Sequence, residues 1–171
     1  MNRDRVIVFS GGVDEGPVLE AIMQLLYFDS ESKTEPIYMY ISSHGGSIIH
    51  GLALYDTMNY ISAPVYTICT GFAASMGAFL LSCGAKGHRA ALKHSRILIH
   101  QPLVQGKAPS WLSESQLRRS ANSLLANRQT LEQIMADNCD KPIERLHADC
   151  ERDNWMTADE AKEYGLIDEV I

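Results

Sequence analysis

The sequence predicts one α/β domain, and three observations carry that reading. Short β-branched or aromatic runs alternate with segments of helical apolar spacing from end to end. The length, 171 residues, suits a single domain with a sizeable core. No repeat or low-complexity linker divides the chain.

Four runs read as strands, mostly buried on both faces: "RVIVF" (Arg5–Phe9), "IYMYIS" (Ile37–Ser42), "VYTICT" (Val65–Thr70) and "RILIH" (Arg96–His100). Between the first two, Pro17 to Phe28 carries Val18, Ile22, Leu25 and Leu26 at helical spacing, with Pro17 suited to a first helical position. Ser47 is placed to cap a helix running to Ile61 and stopped before Pro64. "MGAFLLSC" reads as a short buried helix. A long polar-faced helix fills about Leu112 to Asn138, with Leu117, Leu124, Leu131 and Ile134 as its apolar positions. "TADE" (Thr157–Glu160) is a capping box, and Gly165 fits the residue just past the end of that last helix.

Composition narrows the function. A net charge of −6 leaves no basic stripe, which argues against nucleic acid or an anionic membrane as the main partner. No apolar run approaches the roughly 20 residues that span a bilayer. Cys69, Cys83, Cys139 and Cys150 show no C-x-x-C spacing, which favours reduced thiols and a cytoplasmic setting.

One hydroxyl stands out in "GFAASMGAFLLSCG", where Ser75 interrupts small and apolar residues. "AASMG" is close to the G-x-S-x-G elbow that presents a nucleophilic serine where a strand turns into a helix. Taken alone, the plainer reading is a helix-capping serine. A nucleophilic serine needs a base. His100, ending an apolar strand just before "QPL", is the histidine best set for that role. An acid should orient the imidazole; the residues alone do not choose among the aspartates, and Asp149 and Asp153 in "ADCERDNW" are both plausible. "SSHGGS" (Ser42–Ser47) follows a strand and precedes a helix, and its paired glycines suit either an oxyanion hole or a tight turn feeding the Ser47 cap.

With these pieces together, the chain resembles the proteolytic subunits of ATP-dependent Clp proteases, the ClpP family, over essentially its whole length. The resemblance rests on "HGGSIIHGLALYDTM", "ICTGFAASMGAFLLSCGAKGHR", "ILIHQPL" and "DCERDNWMTADEAKEYGLIDEVI". It implies a ClpP/crotonase-like spiral of ββα units in one domain, with a projecting long helix or handle over about 104–138. It implies a serine endopeptidase with Ser75 as nucleophile and His100 as base. The acid is expected to be the first aspartate of D-x-x-R-D, Asp149, leaving Asp153 structural. The oxyanion donors are expected to be the backbone N–H groups of Gly46 and Met76. Two stacked seven-membered rings and a separate AAA+ unfoldase are implied. No G-x-x-x-x-G-K-[ST] stretch occurs, so ATP belongs to that partner, and no cofactor or metal is expected. The unfoldase pocket is expected at Tyr38, Tyr40, Tyr60, Ile68, Ala90, Leu92 and Leu166, with Ala90 replacing a usual aromatic residue. The expected setting is cytoplasmic, or the stroma or matrix of an organelle.

Departures from the family pattern also stand out. The family's N-terminal axial loop and first helix have no counterpart before "NRDRVIVF". His44 replaces a proline; Val104, Gln105 and Pro109 alter a glycine-rich segment; and Ala148 stands before Asp149 where an arginine often bridges rings. These features keep a second reading alive, a weakly active or non-catalytic subunit of a mixed ring. A crotonase-like enzyme acting on acyl-thioesters is a third reading, but it leaves the serine, histidine and aspartate together unexplained.

Overall fold

The computed structural model describes residues 4–103 and 113–171, so the departures at Val104, Gln105 and Pro109, and Leu112, lie outside the described residues. The chain opens with β1 (Val6–Val13), α1 (Glu15–Glu31), β2 (Ile37–Gly46), α2 (Ile48–Tyr60), β3 (Val65–Ala74) and α3 (Met76–Ser82). It continues through β4 (Arg89–Ala91), β5 (Arg96–Ile99), α4 (Glu114–Asn138), α5 (Ile143–Asp149), β6 (Asn154–Thr157), α6 (Ala158–Tyr164) and β7 (Glu169–Val170).

The main sheet is parallel, in the order β1-β2-β3-β4-β7, and β5 adds to the far end of β3 with β6 antiparallel beside it. Helices cover one face, burying Ile7, Phe9, Met39, Ile41 and Cys69. The opposite face leaves Val8 and Tyr38 exposed and Tyr40 half-buried. The expectation of strands buried on both faces is thus corrected for β1 and β2, whose residues alternate in burial with the period of a one-sided sheet. Strand runs of aromatic and β-branched residues conceal that alternation, because their outward positions (Val8, Tyr38, Tyr40) are apolar too.

Capping follows the sequence closely. Ser47 accepts from His50 N at the start of α2, and Thr157 with Glu160 forms the capping box of α6. Gly165 closes α6 in the left-handed region, at φ 95°. An unforeseen capping box, Ser113 with Gln116, starts α4. The outer half of α4 is exposed at Leu117 and Leu125, while Leu131, Met135 and Ala136 in its inner half join the core.

Arg89 pins the C-terminal segment to this scaffold. Its guanidinium meets Asp168 at 2.6 and 2.9 Å and donates to the carbonyls of Ser82 and Asn138, satisfying a nearly buried cation on several sides. Burial pushes the Asp168 carboxyl up, but hydrogen bonds from the Arg89 side chain and from the amides of Arg89 and Gly87 outweigh it and hold the group below the usual range. A carboxyl lowered in the folded state contributes stability that is complete above its unfolded value, about 3.9, and is lost as pH falls through the folded one. Asp168→Ala is therefore expected to cost about 3 kcal/mol in urea unfolding at neutral pH, because it strands a buried charge. The gap between variant and parent should narrow as the acid limb is reached.

Candidate active site

Strand β3 forks to make the site. Thr67–Cys69 pair with β4, whereas Phe72–Ala74 pair with β5. The switch falls at Gly71, at φ 88°, and Ser95 bridges the gap by donating to the Cys69 carbonyl and accepting from Gly71 N. The strand then ends in a sharp turn at Ser75, with φ 56° and ψ −123°. A residue with a β-carbon in such a conformation is strained by about 1–3 kcal/mol and must be held by its surroundings. Here Ser75 N donates to Leu98 O at 2.9 Å and Ser75 O accepts from Phe79 N at 3.0 Å. Helix α3, starting at Met76, is buried throughout, so its first amides point toward the serine with no intrahelical acceptor.

The end of β2 closes against this elbow. Gly45, at φ 89°, is so near that an added Cβ would stand 2.7 Å from both Ser75 Cβ and Ala74 O. Gly46, at φ 154°, is pressed likewise onto the Val13 backbone. The "HGG" run is therefore the last stretch of a strand packed on the serine, and the glycines serve close approach.

His100 follows β5, with a side chain only 13% exposed. The antiparallel register of β5 and β6 ends with Ile99 opposite Asn154, which brings the next residues, His100 and Asp153, face to face. His100 Nδ1 lies 3.3 Å from Asp153 Oδ1, within ion-pair distance though not aligned as a hydrogen bond. Asp149 is elsewhere. It ends α5, where its carboxylate accepts from Arg145 one turn back at 2.7 Å and from the Tyr164 hydroxyl at 2.9 Å. Burial and the neighbouring Asp149 push the Tyr164 phenol up, so it stays a donor.

Against the expectation that Asp149 serves the histidine and Asp153 is merely structural, the structure sets Asp153, not Asp149, beside His100. Three residues separate the two aspartates, enough to leave one on helix α5 and carry the other to the threshold of β6, across from His100. Arg152 is the residue before Asp153, as Ala148 is the residue before Asp149.

Ser75 and His100 share a cleft of about 620 Å³ with Gly45, Gly46 and Met76, floored by apolar side chains such as Phe79, Leu131 and Met135. Cys150 also lines it, but burial and the nearby Glu132 push its thiol up to about 12, so it is a poor rival nucleophile. Arg128 and Glu132 of α4 line the cleft too and were not foreseen. Their spacing of four on a polar helix face carries the same signal as a solvated i,i+4 pair.

Of the residues expected to form an unfoldase pocket, Tyr40, Ile68 and Ala90 stand in register across β2, β3 and β4. Tyr38 lies on the same face, edge-on to Tyr66, and Leu92 follows by alternation. Tyr60 is largely exposed at the end of α2. Leu166 is corrected: it is wholly buried in the core and lines no open surface in this chain.

A family model described as Clp protease matches residues 1–171. The chain belongs to the Clp protease family. ATP-dependent Clp protease proteolytic subunits of Streptococcus salivarius and Streptococcus thermophilus are each 44% identical over 169 residues, covering 99% of this chain and 85% of theirs. In this Clp protease chain no helix among the described residues is long and apolar enough to cross a membrane.

The close approach at Gly45 is open to test. Gly45→Ala must displace the elbow or the strand, and a shift of about 1 Å at reacting atoms is worth about 10²-fold in rate. Fluorophosphonate labelling of Ser75 should slow by that order while the protein still melts cooperatively.

Proposed function

We propose that Ser75, His100 and Asp153 are the catalytic residues of a Clp-type serine endopeptidase that cuts unfolded polypeptide. Membership of the Clp protease family makes the chain a serine-type peptidase. The observation that carries the residue assignment is the β5–β6 register, which sets His100 against Asp153 beside a serine on a strained elbow.

His100 Nε2 takes the proton of Ser75 Oγ as that oxygen attacks the scissile carbonyl, and the Asp153 carboxylate on the Nδ1 side stabilises the imidazolium. The oxyanion is received by the backbone N–H groups of Gly46 and Met76. His100 then protonates the leaving amine, which departs and leaves an acyl-enzyme on Ser75. Water, deprotonated by the same imidazole, releases the shortened peptide and restores the hydroxyl. Side chains and water balance every step. The apolar floor of Phe79, Leu131 and Met135 suits an apolar side chain before the cut bond.

Family membership implies a Clp ATPase partner and an oligomeric assembly. We extend this to an AAA+ unfoldase that feeds substrate, and to two stacked seven-membered rings. The outer half of α4 supports stacking, because Leu117 and Leu125 are exposed on a helix that leaves the core. The open sheet face around Tyr38, Tyr40 and Leu92 is an apolar surface suited to unfoldase loops or a neighbouring subunit. Free thiols at all four cysteines fit a cytoplasmic setting. The intact elbow, histidine and aspartate disfavour a non-catalytic subunit.

Ser75→Ala is expected to abolish fluorophosphonate labelling and cleavage of short fluorogenic peptides. Asp153→Asn should lower kcat by about 10⁴-fold with the fold intact, through the wrong imidazole tautomer. Asp149→Asn should keep most activity and lower the melting temperature instead, because it loosens Arg145 and Tyr164. The reverse pattern would return the role to Asp149. For assembly, native mass spectrometry should find rings in the parent, and Leu117→Glu with Leu125→Glu should separate the stack. A parent that stays monomeric at micromolar concentration contradicts the assembly.

A further inference from the structure

We propose that Arg128 is a positioning residue for the catalytic pair, acting by clasping together the two backbone segments that carry His100 and Asp153. The inference rests on the assignment of those two residues made above.

The strand pairing that brings His100 to Asp153 stops one residue short of them, at Ile99 and Asn154. Beyond that point something other than the ladder must hold both segments. On the histidine side, Gln101 N donates to Cys150 O at 2.6 Å and Gln101 Nε2 donates to Glu151 O at 2.8 Å. Arg128 completes the clasp. Its Nη1 donates to Gln101 Oε1 at 2.8 Å, the residue next to His100. Its Nη2 donates to Glu151 Oε2 at 3.1 Å, two residues before Asp153.

The guanidinium is itself fixed. Its Nε donates to Glu132 Oε1 at 2.6 Å, and the other Glu132 oxygen lies 2.8 Å from His147 Nδ1. Both side chains are nearly buried, Arg128 at 14% and Glu132 at 7% exposure, so the pair is screened little by solvent. A buried ion pair is weak evidence of added stability, since desolvation offsets much of the attraction. Its value here lies in geometry. One planar fork holds Glu132 on its own helix and Gln101 and Glu151 on the two segments at once, which an ammonium on a flexible stem does poorly. Asp153 is 66% exposed and makes no aligned hydrogen bond to His100 Nδ1, so its placement depends on the segment beneath it.

The test uses the 171-residue chain in its assembled form, with active sites titrated by a fluorophosphonate and rates read on a short fluorogenic peptide. Arg128→Gln is expected to lower kcat per titrated site by about 30-fold with KM changed less than about threefold, since the loss lies in orientation of the base. Arg128→Lys should recover only part of that loss. Gln101→Leu should lower kcat as well, and the double variant should lose little more than either single one, because both break the same clasp. A merely structural arginine would lower the melting temperature and the fraction assembled, and leave kcat per site alone. That result, or losses that multiply independently in the double variant, overturns the proposal. If Arg128→Gln does not fold, Arg128→Lys and Gln101→Leu decide by the same criteria. Asp153→Asn run alongside separates the two claims. If it stays active, the catalytic assignment fails; if it is inactive while Arg128→Gln keeps the parent kcat, this proposal alone fails.

Discussion

Ser75 is held at φ 56° and ψ −123°, and the neighbouring elements can be understood as what keeps it there. The strain of about 1–3 kcal/mol at such a residue persists only where contacts on every side over-determine it. Strand β3 leaves β4 and joins β5 just before the serine, so the Ser75 amide bonds the Leu98 carbonyl. Helix α3 takes the serine carbonyl into its first turn and is buried along its length. Gly45 fills the remaining side so closely that no β-carbon fits. A serine placed this way points its hydroxyl into a cleft and has helix amides behind it, which is what acyl transfer requires.

The fork has a second consequence. By pairing with β3 only at its far end, β5 is free on its other edge to take β6 antiparallel, and that pairing sets Asp153 rather than Asp149 opposite His100. The choice between Asp149 and Asp153 is thus a matter of register. One aspartate ends a helix and the other lies just before a strand, and only the second is carried across from His100. Beyond the last strand pair the register loses its hold, and the Arg128 clasp takes over that task across the helix–strand boundary.

Much of the scaffold was legible in the sequence. The alternation of runs marked the first three strands and helices, and Ser47, Thr157 with Glu160, and Gly165 marked helix ends, because capping depends on local chemistry. The elbow was visible as small residues around one serine. What escaped depends on contacts distant in sequence. Strand β6 has only four residues and gains its identity from β5, and the residues alone leave Asp149 and Asp153 open because their separation in space depends on that pairing. Arg128 and Glu132 carry only the signal of an i,i+4 pair on a polar helix, and it is folding that brings them over the cleft. The resemblance puts Leu166 at an open pocket, whereas the packing of the C-terminal segment buries it.

The central claim is that His100 works with Asp153 while Asp149 stays with Arg145 and Tyr164. The most direct measurement is a crystal structure of the assembled protein with Ser75 phosphonylated by a fluorophosphonate. The account predicts the Asp153 carboxylate in an aligned hydrogen bond with His100 Nδ1, the phosphonyl oxygen on the amides of Gly46 and Met76, and Asp149 still bound to Arg145 and the Tyr164 hydroxyl. Asp149 released from those partners and bonded to His100 Nδ1, with Asp153 turned to solvent, would contradict it.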